Sequence, residues 1–173
     1  MAFEREPKEF EEKVIAIDRV TRVVKGGRRF RFRSTVVIGD GNGRVGVGVG
    51  KGGEVQSSIA KAVAKAKRDM ITVPLKDRTI PHEVEVRFSG ARVLLKPASQ
   101  GTGVIAGGAV RNVVEVAGIH DLLSKSLGSS NKVNTAYATV AALKQLRATA
   151  VRKERLAATK TKKAEDKTKE EVK

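Results

Sequence analysis

Arginines occupy alternate positions at Arg29, Arg31 and Arg33, and glycines occupy alternate positions at Gly46, Gly48 and Gly50. Alternate residues of a strand share a face. The spacing therefore predicts one strand with a cationic face and a second strand with a face that has no side chains. A bare face costs stability, because glycine loses the most backbone entropy on folding and packs nothing. It makes sense where another backbone must approach closely. The neighbouring cations suggest that this backbone is a polyphosphate, and Arg19, Arg22, Lys25, Arg28, Arg44 and Lys51 add to the same charge. The chemistry on offer is phosphate neutralisation.

An enzyme reading competes with it. Gly48-Val49-Gly50-Lys51-Gly52-Gly53 fits G-x-G-x-x-G, ends a predicted strand, opens a predicted helix and is followed by Asp69. That pattern seats a dinucleotide pyrophosphate on a helix N-terminus. Here the strand is the second arm of a tight hairpin and is half glycine, whereas the dinucleotide motif needs a buried parallel strand. The phosphate-loop pattern fails too, because Gly52 and not Ser or Thr follows Gly50-Lys51. His82 and His120 lie far apart and outside any motif. No catalytic residue, metal ligand set or cofactor is expected, nor a small-molecule substrate.

The formal net charge is +16 over 173 residues, a property that speaks of anionic partners rather than of fold. No apolar run is long enough to span a bilayer, so no membrane role is expected. The acidic, polar start of the chain does not read as a signal peptide. The absence of cysteine fits a reducing compartment and removes disulfides and thiolate zinc sites.

The elements that must position these groups follow from periodicity. Lys13 to Val24 alternates apolar and polar residues and reads as a strand. Lys25-Gly26-Gly27-Arg28 is a glycine-punctuated loop, and Arg29 to Ile38 is the next strand. Phe30 and Phe32 lie opposite the arginines, where they are expected to fill the core, with base stacking as the alternative. Asp40-Gly41-Asn42-Gly43 is a hairpin turn, and the strand Arg44 to Gly50 turns Val45, Val47 and Val49 inward. Glu54 to Met70 is an amphipathic helix with Val55, Ile59, Ala62, Val63, Ala66 and Met70 on its apolar stripe. Lys61, Lys65 and Arg68 form a row on its polar side, with Lys67 beside them. This β-β-β-α order, with lysines on the helix, matches the main part of a double-stranded-RNA-binding fold, which reads shape and phosphates.

Pro74 and Pro81 bracket a linker. Glu83 to Phe88 and Arg92 to Lys96 form a hairpin. Pro97 to Gly108 is a glycine-rich loop, and Ala109 to Ala117 is a short helix ended by Gly118. Ile119 to Leu127 is ambiguous between strand and helix. Asn131 caps a last helix that carries Val133, Ala136, Tyr137, Val140 and Leu143 on one face. The reading gives a flexible start at 1–9, an RNA-binding-like domain at 10–73, a linker at 74–82, an α/β domain at 83–147 and a charged, disordered tail at 148–173.

Three stretches carry a resemblance: Val24 to Arg28, Gly39 to Gly46, and Pro97-Ala98-Ser99-Gln100-Gly101-Thr102-Gly103-Val104-Ile105-Ala106-Gly107-Gly108-Ala109-Val110-Arg111. In order and spacing, from about Phe10 to Leu146, the chain resembles bacterial small ribosomal subunit protein five. The resemblance implies an α+β fold. A three-stranded antiparallel sheet plus helix, of double-stranded-RNA-binding type, would precede a two-layer α/β domain with a left-handed crossover. It implies a cytoplasmic structural protein of the bacterial-type ribosome, at the junction of head and body and near the region where mRNA enters. By resemblance, Thr21 to Arg28 would reach small-subunit rRNA in the head, where spectinomycin acts. Gly101, Thr102, Gly103 and Arg111 would meet ribosomal protein four, a contact linked to translational accuracy, and ribosomal protein eight would lie nearby. Charge geometry alone adds Lys51, Lys61, Lys65 and Arg68 to the expected rRNA surface. A free regulatory RNA-binding protein is the alternative.

Overall fold

In the computed structural model, residues 9–147 are described, so the expected start and the charged tail lie outside the described residues, apart from residue 9. Three strands, β1 (Glu11–Val24), β2 (Gly27–Gly39) and β3 (Arg44–Gly52), lead into α1 (Val55–Arg68) and then β4 (Ile71–Thr72). The second half comprises β5 (Val84–Phe88), β6 (Ala91–Pro97), β7 (Val104–Ile105), α2 (Gly108–Val116), β8 (Leu122–Gly128) and α3 (Lys132–Gln145). The first sheet has the order β1-β2-β3-β4, all antiparallel. It has four strands where three were expected, because the chain leaving α1 pairs Ile71 with Val45 and so covers the free edge of β3. The second sheet has the order β5-β6-β8-β7, with β7 parallel to β8 and α2 as their crossover. The ambiguous stretch is thus mainly strand: Leu122 and Leu123 pair with both β6 and β7.

The bare glycine face is real, but its occupant is not a polyphosphate. A Cβ on Gly46, Gly48 or Gly50 would strike the backbone of Ala66, Ala62 or Ser58, all in α1. The helix therefore lies on β3 backbone to backbone. Around that contact Val36, Ile38, Ala62 and Ala66 form a small core, flanked by Ile59, Val63 and Met70. The Ser34 and Ser58 hydroxyls share a buried hydrogen bond of 2.6 Å at its edge.

The other face of the sheet belongs to a larger core. Val37, Val45 and Val47 join Val110, Val113, Val114 and Val116 of α2, Ala138 and Leu143 of α3, and Val93 and Leu95 of β6. The layers therefore run α1, first sheet, α2 with α3, second sheet. The segment expected as a linker is built into this core: Ile80 is buried, and the Arg78 carbonyl accepts from the amides of His120 and Asp121.

The turn after β2 locks the two halves together. Asp40 accepts from the amides of Asn42 and Arg44 at 2.9 and 3.0 Å and from the Arg44 guanidinium at 2.7 Å. This holds the turn in a shape that aims the amides of Gly41 and Gly43 at the carbonyls of Val116 and Ala117, at 3.2 and 3.0 Å. Those carbonyls end α2 and have no partner within the helix. Gly118 sits at φ +84, and a Cβ there would strike the Gly41 carbonyl. Lys13 adds an ion pair to Glu115 at 2.9 Å, and that bond holds the lysine pKa above its ordinary value.

Two outcomes are expected. Gly48→Ala forces α1 off its sheet and should cost about 1–3 kcal/mol in urea unfolding; wild-type stability would refute the backbone-to-backbone seat. Burial alone would raise the Asp40 pKa, but the bonds from Arg44 and from the amides of Asn42 and Arg44 outweigh it, and the net position is below 3.8. A lowered carboxylate pKa gives stability that is full above the unfolded value and lost as pH falls through the folded one. Asp40→Ala should therefore destabilise steadily from pH 7 to 5, and its deficit should shrink below pH 3.8. A deficit that stays constant to pH 2.5 would remove this role for the charge.

Candidate RNA interface

β3 pairs with β2 only between Phe32 and Gly39, while the β1–β2 ladder continues to Val24 opposite Gly27. Beyond Phe32 the hairpin is thus a two-stranded arm, with Lys25 and Gly26 at its tip and Gly26 at φ +87. The register assigns its faces. Arg22 lies opposite Arg29, Val20 opposite Arg31, Asp18 opposite Arg33, and Arg33 in turn opposite Lys51. Arg22, Arg29, Arg31, Arg33 and Lys51 therefore share one face. It is the side that carries Val37 further along β2. The reverse side, shared with α1, carries Arg19, Thr21, Phe30, Phe32 and Arg28.

The cations differ in what they already hold. Arg33 forks onto Asp18 at 2.8 and 3.2 Å. Arg44 is tied to Asp40 at the far end of β3, and its guanidinium lies 5.5 Å from the Phe10 ring, which Lys67 also approaches at 5.7 Å. Arg68 lies 3.5 Å from Asp69. Lys61 and Lys65 are exposed on α1. The expected rRNA residues thus do not form one surface. The arm cations gather, the α1 row lies across the sheet from the arginine face, and Arg44 stands at the domain dock.

Phe30 corrects an expectation. It was expected in the core, yet 46% of it is exposed, because neither α1 nor the second half of the chain reaches the arm. Phe32, opposite Gly52 where the arm begins, is half-buried.

The glycine-rich loop is held by a residue that the sequence reading passed over. Asp121 is almost fully buried, and one carboxylate oxygen accepts from the amides of Gly101 and Gly103 at 3.1 and 2.9 Å. Arg78 stands 3.6 Å from the other oxygen. Gly101 and Gly103 lie at φ +89 and +75, so the loop needs both glycines. Thr102 is left exposed between them, and Arg111 donates to the Val104 carbonyl at 3.3 Å. The available signal was an acid inside an apolar run, Ile119-His120-Asp121-Leu122-Leu123.

The dinucleotide fingerprint has a structural explanation. Its strand is antiparallel to β2, and Gly48 and Gly50 lie against the backbone of α1; Gly53, the last glycine of the pattern, has open space beside it.

A protruding cationic hairpin on a β-β-β-α unit, docked to a mixed-sheet unit, is an arrangement suited to binding a phosphate backbone. Residues 10–74 match the family model described as ribosomal protein S5, N-terminal domain, and residues 86–157 match ribosomal protein S5, C-terminal domain. The chain belongs to the ribosomal protein S5 family, and so is a structural, non-enzymatic protein of the small ribosomal subunit that binds rRNA in the cytoplasm.

Asp121→Ala should speed hydrogen exchange at the Gly101 and Gly103 amides by tenfold or more, since about 1.4 kcal/mol of lost protection is a factor of ten. Unchanged protection at both amides would show that the loop is held without the carboxylate.

Proposed function

We propose that the arm carries the rRNA contact, with Thr21 to Arg28 reaching rRNA of the subunit head at the head–body junction, near the region where mRNA enters. One observation supports this above all. Arg22 stands directly opposite Arg29 on an exposed two-stranded arm, with Arg31 on the same face. Like charges directly across a strand pair are destabilising. An anion between them turns that repulsion into attraction, and a phosphate backbone supplies a row of such anions. The protein acts as a cationic wedge that holds rRNA helices in register. If about six to ten phosphates are neutralised, counterion release makes affinity fall roughly 10³- to 10⁵-fold as salt rises from low to moderately high.

The loop Gly101–Gly103, with Arg111 nearby, is the proposed contact for ribosomal protein four, and ribosomal protein eight is the second proposed neighbour. Through the first contact the chain would bias the balance of open and closed subunit states and so the accuracy of decoding. The buried Asp121 supports this reading, because it holds the loop in one shape without covering it.

A tagged copy run on sucrose gradients at low and high salt tests the placement. Migration with the small subunit at both salts is expected, and migration at the top at both would overturn it. Gly27→Asp puts a carboxylate between Lys25 and Arg28 at the arm tip. It should weaken the head contact and alter the spectinomycin response, and unchanged sensitivity with normal assembly would count against the site. Asp121→Ala should raise stop-codon readthrough in a reporter strain; wild-type readthrough despite a freed loop would remove the accuracy role.

A further inference from the structure

We infer that the α1-side face of the arm is a stacking site for an unpaired rRNA nucleobase, with Phe30 as its platform. The inference rests on the reading of the arm as an RNA contact and adds a second face to it.

Val14, Ile17, Val23 and Phe30 are all large apolar side chains left exposed, at 43, 46, 74 and 46%. The register puts all four on one side. Val14 and Ile17 lie opposite Val36 and Ser34, which face α1, while Thr21 opposite Phe30 and Val23 opposite Arg28 continue that side outward. Val23 and Phe30 are thus diagonal neighbours near the tip, within reach of each other. Large apolar side chains left exposed together on one strand face mark an interaction surface.

The chemistry around Phe30 selects the partner. The Arg19 guanidinium lies over the ring at 3.8 Å from its centroid, and nearly half of the residue remains open. Arg28 stands beside Val23. Asp18, at the base of the arm, is on the opposite face and tied to Arg33. The site therefore offers a planar apolar surface, a planar cation and a second arginine on the same face of the arm. A nucleotide has the matching parts, a base to stack and a phosphate to meet Arg19 or Arg28. The arm would then hold phosphates on one side and a base on the other.

The test uses the full chain and purified small-subunit rRNA. The chain contains no tryptophan, so Phe30→Trp places a unique reporter at the site. Its fluorescence should be quenched on binding. Phe30→Ala and Phe30→Leu should each weaken binding about 5- to 150-fold, with the slope of log affinity against log salt unchanged, because stacking releases no counterions. Arg29→Ala should instead lower both affinity and slope, the slope by about one. Melting temperatures near wild type are expected for the Phe30 variants, since the ring lies outside both cores. Wild-type affinity in Phe30→Ala with an unquenched Trp, while Arg29→Ala loses slope, would overturn the stacking site and leave the cationic face standing. Unchanged affinity and slope in Arg22→Ala and Arg29→Ala as well would overturn the RNA reading of the arm itself. A Trp signal that changes only when ribosomal proteins are added would assign the face to a protein and overturn the inference.

Discussion

Helix α1 can lie flat on its sheet only because Gly46, Gly48 and Gly50 leave nothing between the β3 backbone and the backbones of Ser58, Ala62 and Ala66. Most of the architecture depends on that contact. A helix this close needs few side chains to fill the gap, so the core beneath it is small and the large valines of β3, Val45 and Val47, are turned to the other face. That face would be an exposed apolar surface if the chain ended at residue 74. It is covered instead by α2 and α3, and one hydrophobic core spans both halves of the protein. The entropy lost by the glycines is offset by a sheet that can be covered on both sides.

The same division explains why the arm protrudes. β3 stops pairing at Phe32, α1 begins just after β3, and the second half covers the sheet only further along. The β1–β2 hairpin then runs on alone, supported by its own ladder. A two-stranded ribbon in water is marginal by itself, but here its base is anchored in a sheet that is packed on both faces. The fold holds one cation-rich element away from the body and fixes its direction through the base. Arg33 on Asp18 and Arg44 on Asp40 are used up within the protein, whereas Arg22, Arg29 and Arg31 are presented outward.

Two loops are shaped by buried or half-buried carboxylates that bond to backbone amides. Asp40 shapes the turn that docks on the end of α2, and Asp121 shapes the loop at Gly101–Gly103. In each case the acid supplies acceptors to amides that a tight turn leaves without strand or helix partners. In a chain with a formal charge of +16, these few acids are placed where they organise backbone.

Much of this was legible in the residue order. Alternation located the strands, the 3.6-residue stripe located α1, and Asp40-Gly41-Asn42-Gly43 located the hairpin turn, because periodicity and turn chemistry are local properties. The net charge determined the class of partner. Three matters needed the tertiary structure. The occupant of the glycine face is the chain's own helix, since a bare strand accepts any close backbone and only packing selects which. The exposure of Phe30 followed from where neighbouring layers end, which no local pattern encodes. Asp121 acquired its role from amides 18 and 20 residues away, a contact created by the β7–α2–β8 crossover. Sequence alone determined which groups were available and in what local form; the packing of layers decided which of them meet one another and which are left to meet RNA.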